Sequence, residues 1–158
     1  MVDDTKVLKI ARNKKGIAQN EVEINMSTDY MWDGMIAEIY DYDENGLWVE
    51  MALARKVTEK NFKEITGVSF KDYCSAMYYR YNDMGHNRIL KYSKPSNMDE
   101  MWDNEFVFSM MDIMSNYDLP PGDLCKLNSF GIIKKDGEDQ IVMIDYGLNN
   151  KVYDSYYS

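Results

Sequence analysis

The sequence predicts a small α+β domain, in which a strand-rich N-terminal part leads into a mostly helical C-terminal part. Three observations predict this class. Short alternating or β-branched apolar runs dominate residues 6–53, apolar residues at helical spacing dominate residues 58–118, and two further strand-like runs occupy residues 130–145. Strands and helices that are segregated along the chain are typical of α+β proteins. A length of 158 residues suits one domain, with parts of about 1–53 and about 54–158.

The N-terminal part is predicted to contain one strand, one helix and a hairpin. Residues 6–11, "KVLKIA", have the alternation of a strand, and "RNKKG" after them favours a turn. Residues 17–27 carry apolar side chains four positions apart, as one face of a helix does. The hairpin has strands at residues 36–42 and 47–53, on either side of the turn "DENG".

The C-terminal part is predicted to contain three helices and a late hairpin. Residues 58–66 begin with a threonine N-cap and stop at a glycine, and residues 69–82 open on a serine in a capping-box-like pattern. Residues 83–98 have the composition of a loop. The longest helix covers residues 98–118, until the proline pair of "LPPGD" ends its hydrogen-bond ladder. The hairpin at residues 130–145 turns on "KDGED".

Composition limits the classes of function. The chain carries 27 acidic and 18 basic residues, and its net charge of −9 argues against ordinary nucleic-acid binding, which needs a basic surface. The charge permits plain solubility, or a surface that competes with nucleic acid for a basic partner. The chain has thirteen Met and thirteen Tyr residues; Met packs irregular gaps and also serves adaptable binding surfaces, and Tyr is common at interfaces.

The expected environment of the chain is the cytoplasm. No apolar run approaches the roughly 20 residues of a membrane span, and the N-terminal "MVDDTKVLKI" lacks the apolar region of a signal peptide. Cys74 and Cys125 lie far apart without metal-ligand spacing, so two reduced thiols are the simplest interpretation.

The stretch "IVMIDYGLNN" gives the strongest indication of chemistry. Four apolar residues, Ile141 to Ile144, lead directly into Asp145, Tyr146 and Gly147. A strand that ends in this way can deliver a carboxylate to a metal–phosphate site. It can also end at an ordinary turn, where Asp and Gly are common.

A phosphoryl-transfer site of the protein-kinase type needs four features in chain order. They are a strand lysine, a helix acid that orients the lysine, a loop with Asp and Asn five residues apart, and a strand-ending Asp–aromatic–Gly. The candidates in this order are Lys9, Glu23 (less favourably Glu21), Asp123 with Asn128, and Asp145. Each also has a plain structural interpretation, as an exposed strand lysine, a solvated helix acid, a turn-capping Asp or a loop Asn.

Several segments together resemble protein-kinase-like proteins carried by bacteriophages. They are "VLKIARNKKGIAQNEVE", "WVEMAL", "DLCKLN" and "IDYGL", and the resemblance covers roughly residues 6–157, including the tail "VYDSYY". It implies a minimal two-lobed kinase-like fold, with an N-lobe-like part of about 1–53 and a C-lobe-like part of about 54–158. Glu50 to Ala52 would then connect the lobes.

The resemblance also implies roles for individual residues. In an active kinase Asp123 would be the catalytic base, with Asn128 beside it in the same loop. Asn128 and Asp145 would bind Mg²⁺. The nucleotide would be held by Lys9, Glu23, Glu50 and Met51.

Three departures from the kinase pattern predict that activity is absent. Residues 1–7 contain no glycine, so we expect no phosphate-covering loop before Lys9. "GDL" replaces the usual His-Arg-Asp, and no Ala-Pro-Glu follows Asp145. We therefore expect no cofactor, and ATP with Mg²⁺ only if the chain is an active kinase after all.

Three functional hypotheses remain. The first is a non-catalytic phage protein in the bacterial cytoplasm that binds a host protein and inhibits or redirects it, a defence nuclease being one example. The second is an active small ATP-dependent kinase. The third is an acidic nucleic-acid mimic that blocks a nucleic-acid-binding protein. None of them involves a membrane or direct binding to nucleic acid.

Overall fold

The structure is a computed structural model that describes residues 5–86 and 93–157. It is a mixed α+β fold, which confirms the predicted class at that level. In chain order its elements are β1 (Lys6–Ile10), α1 (Lys14–Ser27), β2 (Ile39–Tyr42), β3 (Trp48–Ala52), β4 (Arg55–Lys56), α2 (Glu59–Thr66), α3 (Phe70–Asp83), α4 (Met98–Asp103), α5 (Glu105–Tyr117), α6 (Pro121–Leu124), β5 (Phe130–Lys135), β6 (Glu138–Met143) and α7 (Asn150–Tyr156). Single 3₁₀ turns lie at Tyr30–Trp32 and Leu127–Ser129.

The first sheet is antiparallel, with the strand order β1-β3-β2. Its inner face points to the core, because Val49 and Met51 on the central strand are buried. Helix α1 begins three residues before the predicted start at residue 17, because the Asn13 side chain accepts a hydrogen bond from the Gly16 amide at 3.0 Å. The predicted first hairpin is confirmed as β2 and β3.

The second sheet has the order β4-β5-β6. Its hairpin was predicted, and Asp136 and Gly137 form its turn with φ of 53° and 85°. The two-residue strand β4 was not predicted. The end of β6 reaches the first part of the fold, because the Met143 amide donates to the Met35 carbonyl at 2.9 Å and the Ala37 amide donates to the Met143 carbonyl at 2.8 Å.

The helical part differs from the prediction at the break between α4 and α5 and in the two helices α6 and α7, which were not predicted. The single helix expected over residues 98–118 is two helices, α4 and α5, because the Asn104 side chain accepts from the Val107 amide at 3.0 Å and so starts a new helix. The predicted loop over residues 83–98 includes residues 87–92, which lie outside the described residues. Helix α7 was not predicted, although Asn149 caps it through the Val152 amide.

One hydrophobic cluster runs through both parts of the chain. It joins Val49 and Met51 of the first sheet to Phe62 of α2 and to Phe130 of β5. A shared core fits a single domain better than two independent ones. None of the helices in the described residues has the length and apolar character needed to cross a bilayer.

Candidate functional site

Lys9 lies at the centre of an ion-pair cluster. It pairs in register with the buried Val49, and so its side chain points to the face of the sheet that α1 covers. Its Nζ is 2.6 Å from Glu23 Oε1 and 3.1 Å from Asp145 Oδ1. Burial by itself lowers the pKa of the ammonium group, but the two carboxylates outweigh burial and raise the pKa above its ordinary value. The strand thus holds a firmly charged cation between two acids.

Glu23 is fully buried, with a side-chain exposure of 0%. Its Oε1 accepts hydrogen bonds from the amides of Tyr146 at 3.2 Å and Gly147 at 3.1 Å, as well as from Lys9. Its Oε2 has no hydrogen-bond partner among the described residues. Burial raises the pKa of the Glu23 carboxyl, and Lys9 opposes only part of this rise. The interpretation of Glu23 as a solvated acid is therefore wrong, whereas Glu21 is exposed.

The tight packing at Gly147 explains why a glycine follows the acid at the end of β6. A Cβ at this position would lie 2.4 Å from the carbonyl oxygen of Gln19 on α1. The neighbouring Tyr146 is buried, and its hydroxyl donates to the Ala37 carbonyl at 3.4 Å. The chain therefore crosses directly over α1, which places the two amides against Glu23. The Asp145 side chain, in contrast, is 58% exposed.

Of Asp123 and Asn128, only Asp123 is linked to this cluster, and the link runs through Lys126. Asp123 lies on α6 and accepts a hydrogen bond from Lys126 Nζ at 2.6 Å. That bond is the main cause of the raised pKa of Lys126, and Asp145 contributes to the rise, so Lys126 stands within electrostatic reach of both acids. Asn128 is exposed in the turn before β5, and within the described part of the chain its side chain makes no hydrogen bond.

Glu50 and Met51 lie inside β3. Glu50 accepts from Lys6 Nζ at 2.8 Å, and Met51 is buried in the core. Because β3 is the central strand, its backbone groups are paired with β1 on one side and β2 on the other. The link to the second part of the fold begins only after Ala52.

The residues assigned to Mg²⁺ do not make a preformed site. Magnesium is usually held by one or two carboxylates together with phosphate oxygens and water. One oxygen of Asp145 already binds the Lys9 ammonium, and Asn128 is exposed in a turn. A divalent cation would have to share Asp145 with another cation.

Sequence reasoning missed a pocket beside Asp123. It has a volume of about 400 Å³ and lies between α3, α6 and α7. Tyr153 and Tyr157 of the C-terminal segment form one wall, so the pocket could not be predicted without α7. The "NNKVYDSYY" tail did hold a signal, because an Asn before a short apolar-spaced run is a common helix start.

No family model, no curated protein and no solved structure matches this chain. The resemblance to phage kinase-like proteins therefore remains a prediction from the motifs. What the chain does has to be inferred from the geometry of its own residues.

Proposed function

We propose that this chain is a kinase-like protein, of the kind that bacteriophages carry, which acts by binding a host protein rather than by transferring phosphate. In this proposal it inhibits or redirects a host factor, such as a defence nuclease, in the bacterial cytoplasm. The observation that carries the proposal is that Lys9 occupies one oxygen of Asp145, while Asn128, the other residue assigned to Mg²⁺, lies exposed in a turn.

The pairing supports a structural role for these residues. Glu23 Oε1 binds Lys9 of β1 and also two amides of the segment after β6. One buried carboxylate on α1 thus ties together segments that are more than 120 residues apart in sequence, as the separation of Glu23 from Tyr146 shows. These partners hold Glu23 and the segments around it in place without any nucleotide, and removing one of them would leave a buried charge uncompensated.

Asp123, the residue assigned as catalytic base, is also engaged inside the molecule. A general base needs a free lone pair directed at the substrate hydroxyl. The Asp123 carboxylate instead accepts a short hydrogen bond from Lys126 Nζ at 2.6 Å, so one of its two oxygens is already occupied. The paired backbone of β3 leaves Glu50 and Met51 poorly placed to bind an adenine ring.

The surface supports the binding half of the proposal. Large aromatic side chains remain exposed at several places, most strongly Tyr30 at 94%. Tyrosine is enriched at protein interfaces because it combines a large apolar ring with a polar tip. The net charge of −9 favours a basic partner.

The proposal is tested by following phosphate and partner in the same experiment. Host lysate is incubated with the tagged chain and ATP labelled at the γ-phosphate, and both the label and the captured protein are measured. We expect a captured host protein and no transfer of label, and we expect Asn128→Ala to capture the same protein. Transfer of label that disappears in Asn128→Ala would contradict the proposal.

An active small kinase is the second candidate. It is favoured by one observation, namely that Lys9, Glu23 and Asp145 meet in one cluster although they are far apart in sequence. In an active kinase Lys9 would bind phosphate, Glu23 would orient Lys9, and Asp145 would bind the metal. The labelled-phosphate experiment separates the two candidates.

A further inference from the structure

The pocket beside Asp123 is walled mainly by aromatic and apolar side chains. These include Tyr78 and Tyr81 of α3, Pro120, Leu148, and Tyr153 and Tyr157 of the C-terminal segment. Its volume of about 400 Å³ falls within the range of pockets that hold small ligands or single side chains. The polar groups at the pocket are few, and Asp123 and Lys126 are the charged ones.

The pocket floor is fixed by a buried hydrogen-bond network. The Tyr81 hydroxyl donates to Asn150 Oδ1 at 2.9 Å, and Asn150 Nδ2 donates to Asp118 Oδ1 at 2.7 Å. The Asn150 amide also donates to the Asp118 carbonyl at 2.9 Å. Tyr81 and Asn150 are both buried. The network holds α3 against the start of α7, so the pocket exists without a ligand.

The outer wall already binds a cation within the molecule. Tyr153 and Tyr157 are stacked with ring centroids 5.7 Å apart, and they remain 39% and 44% exposed. Lys15 Nζ lies 4.2 Å from the centre of the Tyr157 ring. The face of an aromatic ring carries partial negative charge, which attracts such cations. Lys15 already covers one face of Tyr157, so the exposed Tyr153 ring is the one suited to a cationic group from outside.

The charges around the pocket also favour a cation. Asp123 lines the pocket, and Asp118 lies behind Asn150 with a side-chain exposure of 54%. Lys126 is paired with Asp123 and Lys15 lies over Tyr157, so the preference for a cation rests on Asp118 and on the net charge of −9. A phosphate-bearing ligand such as a nucleotide would meet this negative field, although its base could stack on the tyrosines.

We propose that this pocket receives an arginine side chain from a basic segment of the partner protein. A guanidinium group is planar and weakly hydrated, stacks on aromatic rings and binds carboxylates with two parallel hydrogen bonds. The Tyr153 ring supplies the stacking surface, and Asp123 supplies the oxygen that Lys126 does not use, Oδ2. The inference rests on the proposed function in one respect, namely that the partner is a protein.

The test is an NMR titration of the ¹⁵N-labelled chain with the peptide Gly-Gly-Arg-Gly-Gly. A matched peptide carries citrulline, which keeps the shape of arginine and removes its charge. We expect the arginine peptide to shift the amide signals of Tyr153, Tyr157 and Asp123, with a Kd on the order of 1 mM. The citrulline peptide should shift them at least about fivefold less. Equal shifts from both peptides, or no shift at these amides, would overturn the proposal.

Three variants check that the rings carry the binding. Tyr153→Leu keeps an apolar side chain but removes the ring, and should weaken arginine-peptide binding by about fivefold. Tyr153→Phe keeps the ring and should bind like the parent, as should Tyr42→Leu on β2, an exposed tyrosine outside the pocket. Parent-like binding by Tyr153→Leu would overturn the proposal. A host protein that is captured equally by the parent and Tyr153→Leu would refute the pocket while leaving the proposed function intact.

Discussion

Replacing Lys9 with methionine should destabilise the fold, because Glu23 would stay buried without its cation. Methionine has nearly the length of lysine and fills the same space without charge. In the variant Glu23 Oε1 keeps only the Tyr146 and Gly147 amides, while Oε2 has no hydrogen-bond partner among the described residues even with Lys9 in place. A buried carboxylate with so few partners is costly.

The expected loss is about 2–3 kcal/mol. Removing one partner of a fully buried ion pair costs about 3–5 kcal/mol. Here the Lys9 side chain keeps 30% exposure and Asp145 keeps 58%, so water already screens part of the interaction. For a domain of this size, the loss corresponds to a fall of about 4–12 °C in Tm.

The loss should depend on pH in a defined direction. The pKa of Glu23 is raised above its ordinary value of 4.5, mainly by burial, and removal of Lys9 raises it further. A carboxyl whose pKa is higher in the folded state binds its proton more tightly there, so the folded state loses stability as pH rises from the unfolded value through the folded one. The deficit of Lys9→Met should thus be largest at neutral pH and shrink as pH falls through the raised folded-state pKa of Glu23 towards 4.5.

Urea denaturation followed by circular dichroism measures this effect at pH 4 and pH 7. The double variant Lys9→Met with Glu23→Gln removes the stranded charge and should recover at least about 1 kcal/mol at pH 7. If Lys9→Met unfolds at the parent's urea concentration at both pH values, Glu23 does not depend on Lys9 and the reasoning is wrong.

Three further predictions follow from the same geometry. Asp145→Asn should lower the free energy of unfolding by only about 1 kcal/mol, because the side chain is 58% exposed. The variant should capture the partner as the parent does. A loss of capture would mean that Asp145 belongs to the interface. Gly147→Ala should lower the free energy of unfolding by about 2 kcal/mol or more, because its Cβ would stand 2.4 Å from the Gln19 carbonyl oxygen. The control is Gly122→Ala, whose Cβ would meet no atom within 4 Å and which should change this free energy by less than about 0.5 kcal/mol. Once a partner is identified, its association rate should fall as salt rises, since exposed charges are screened within about 10 Å at 0.1 M; an unchanged rate would exclude an acidic surface, including nucleic-acid mimicry, as the cause of binding.

Local signals were sufficient to predict most strands and the first helices. The "KDGED" turn and the alternating runs beside it fix the late hairpin through contacts between neighbouring residues. The break at Asn104 had a local signal too, because Asn followed by Glu is a common helix start. The continuous run of apolar residues at helical spacing on both sides concealed it.

The burial of Glu23 could not be predicted from its neighbours. The apolar residues spaced four apart on α1 imply a face that excludes it. Its actual environment depends on Lys9 from β1 and on two amides that lie 123 and 124 residues further along the chain. Such a site is a property of the tertiary packing. The order of the motifs indicated only that Lys9, Glu23 and Asp145 could belong to one site.

Titration calorimetry with ATP and Mg²⁺ tests most directly whether this chain lacks a working nucleotide site. The account requires this of a protein that acts by binding a host protein and transfers no phosphate. The same titration with Asp145→Asn is the control for binding at the cluster. We expect the parent to bind weakly or not at all, with a Kd no tighter than about 10 μM, or about −7 kcal/mol, because Lys9 and Asp145 are already paired. A Kd below about 10 μM that Asp145→Asn abolishes would contradict the account and favour an active kinase.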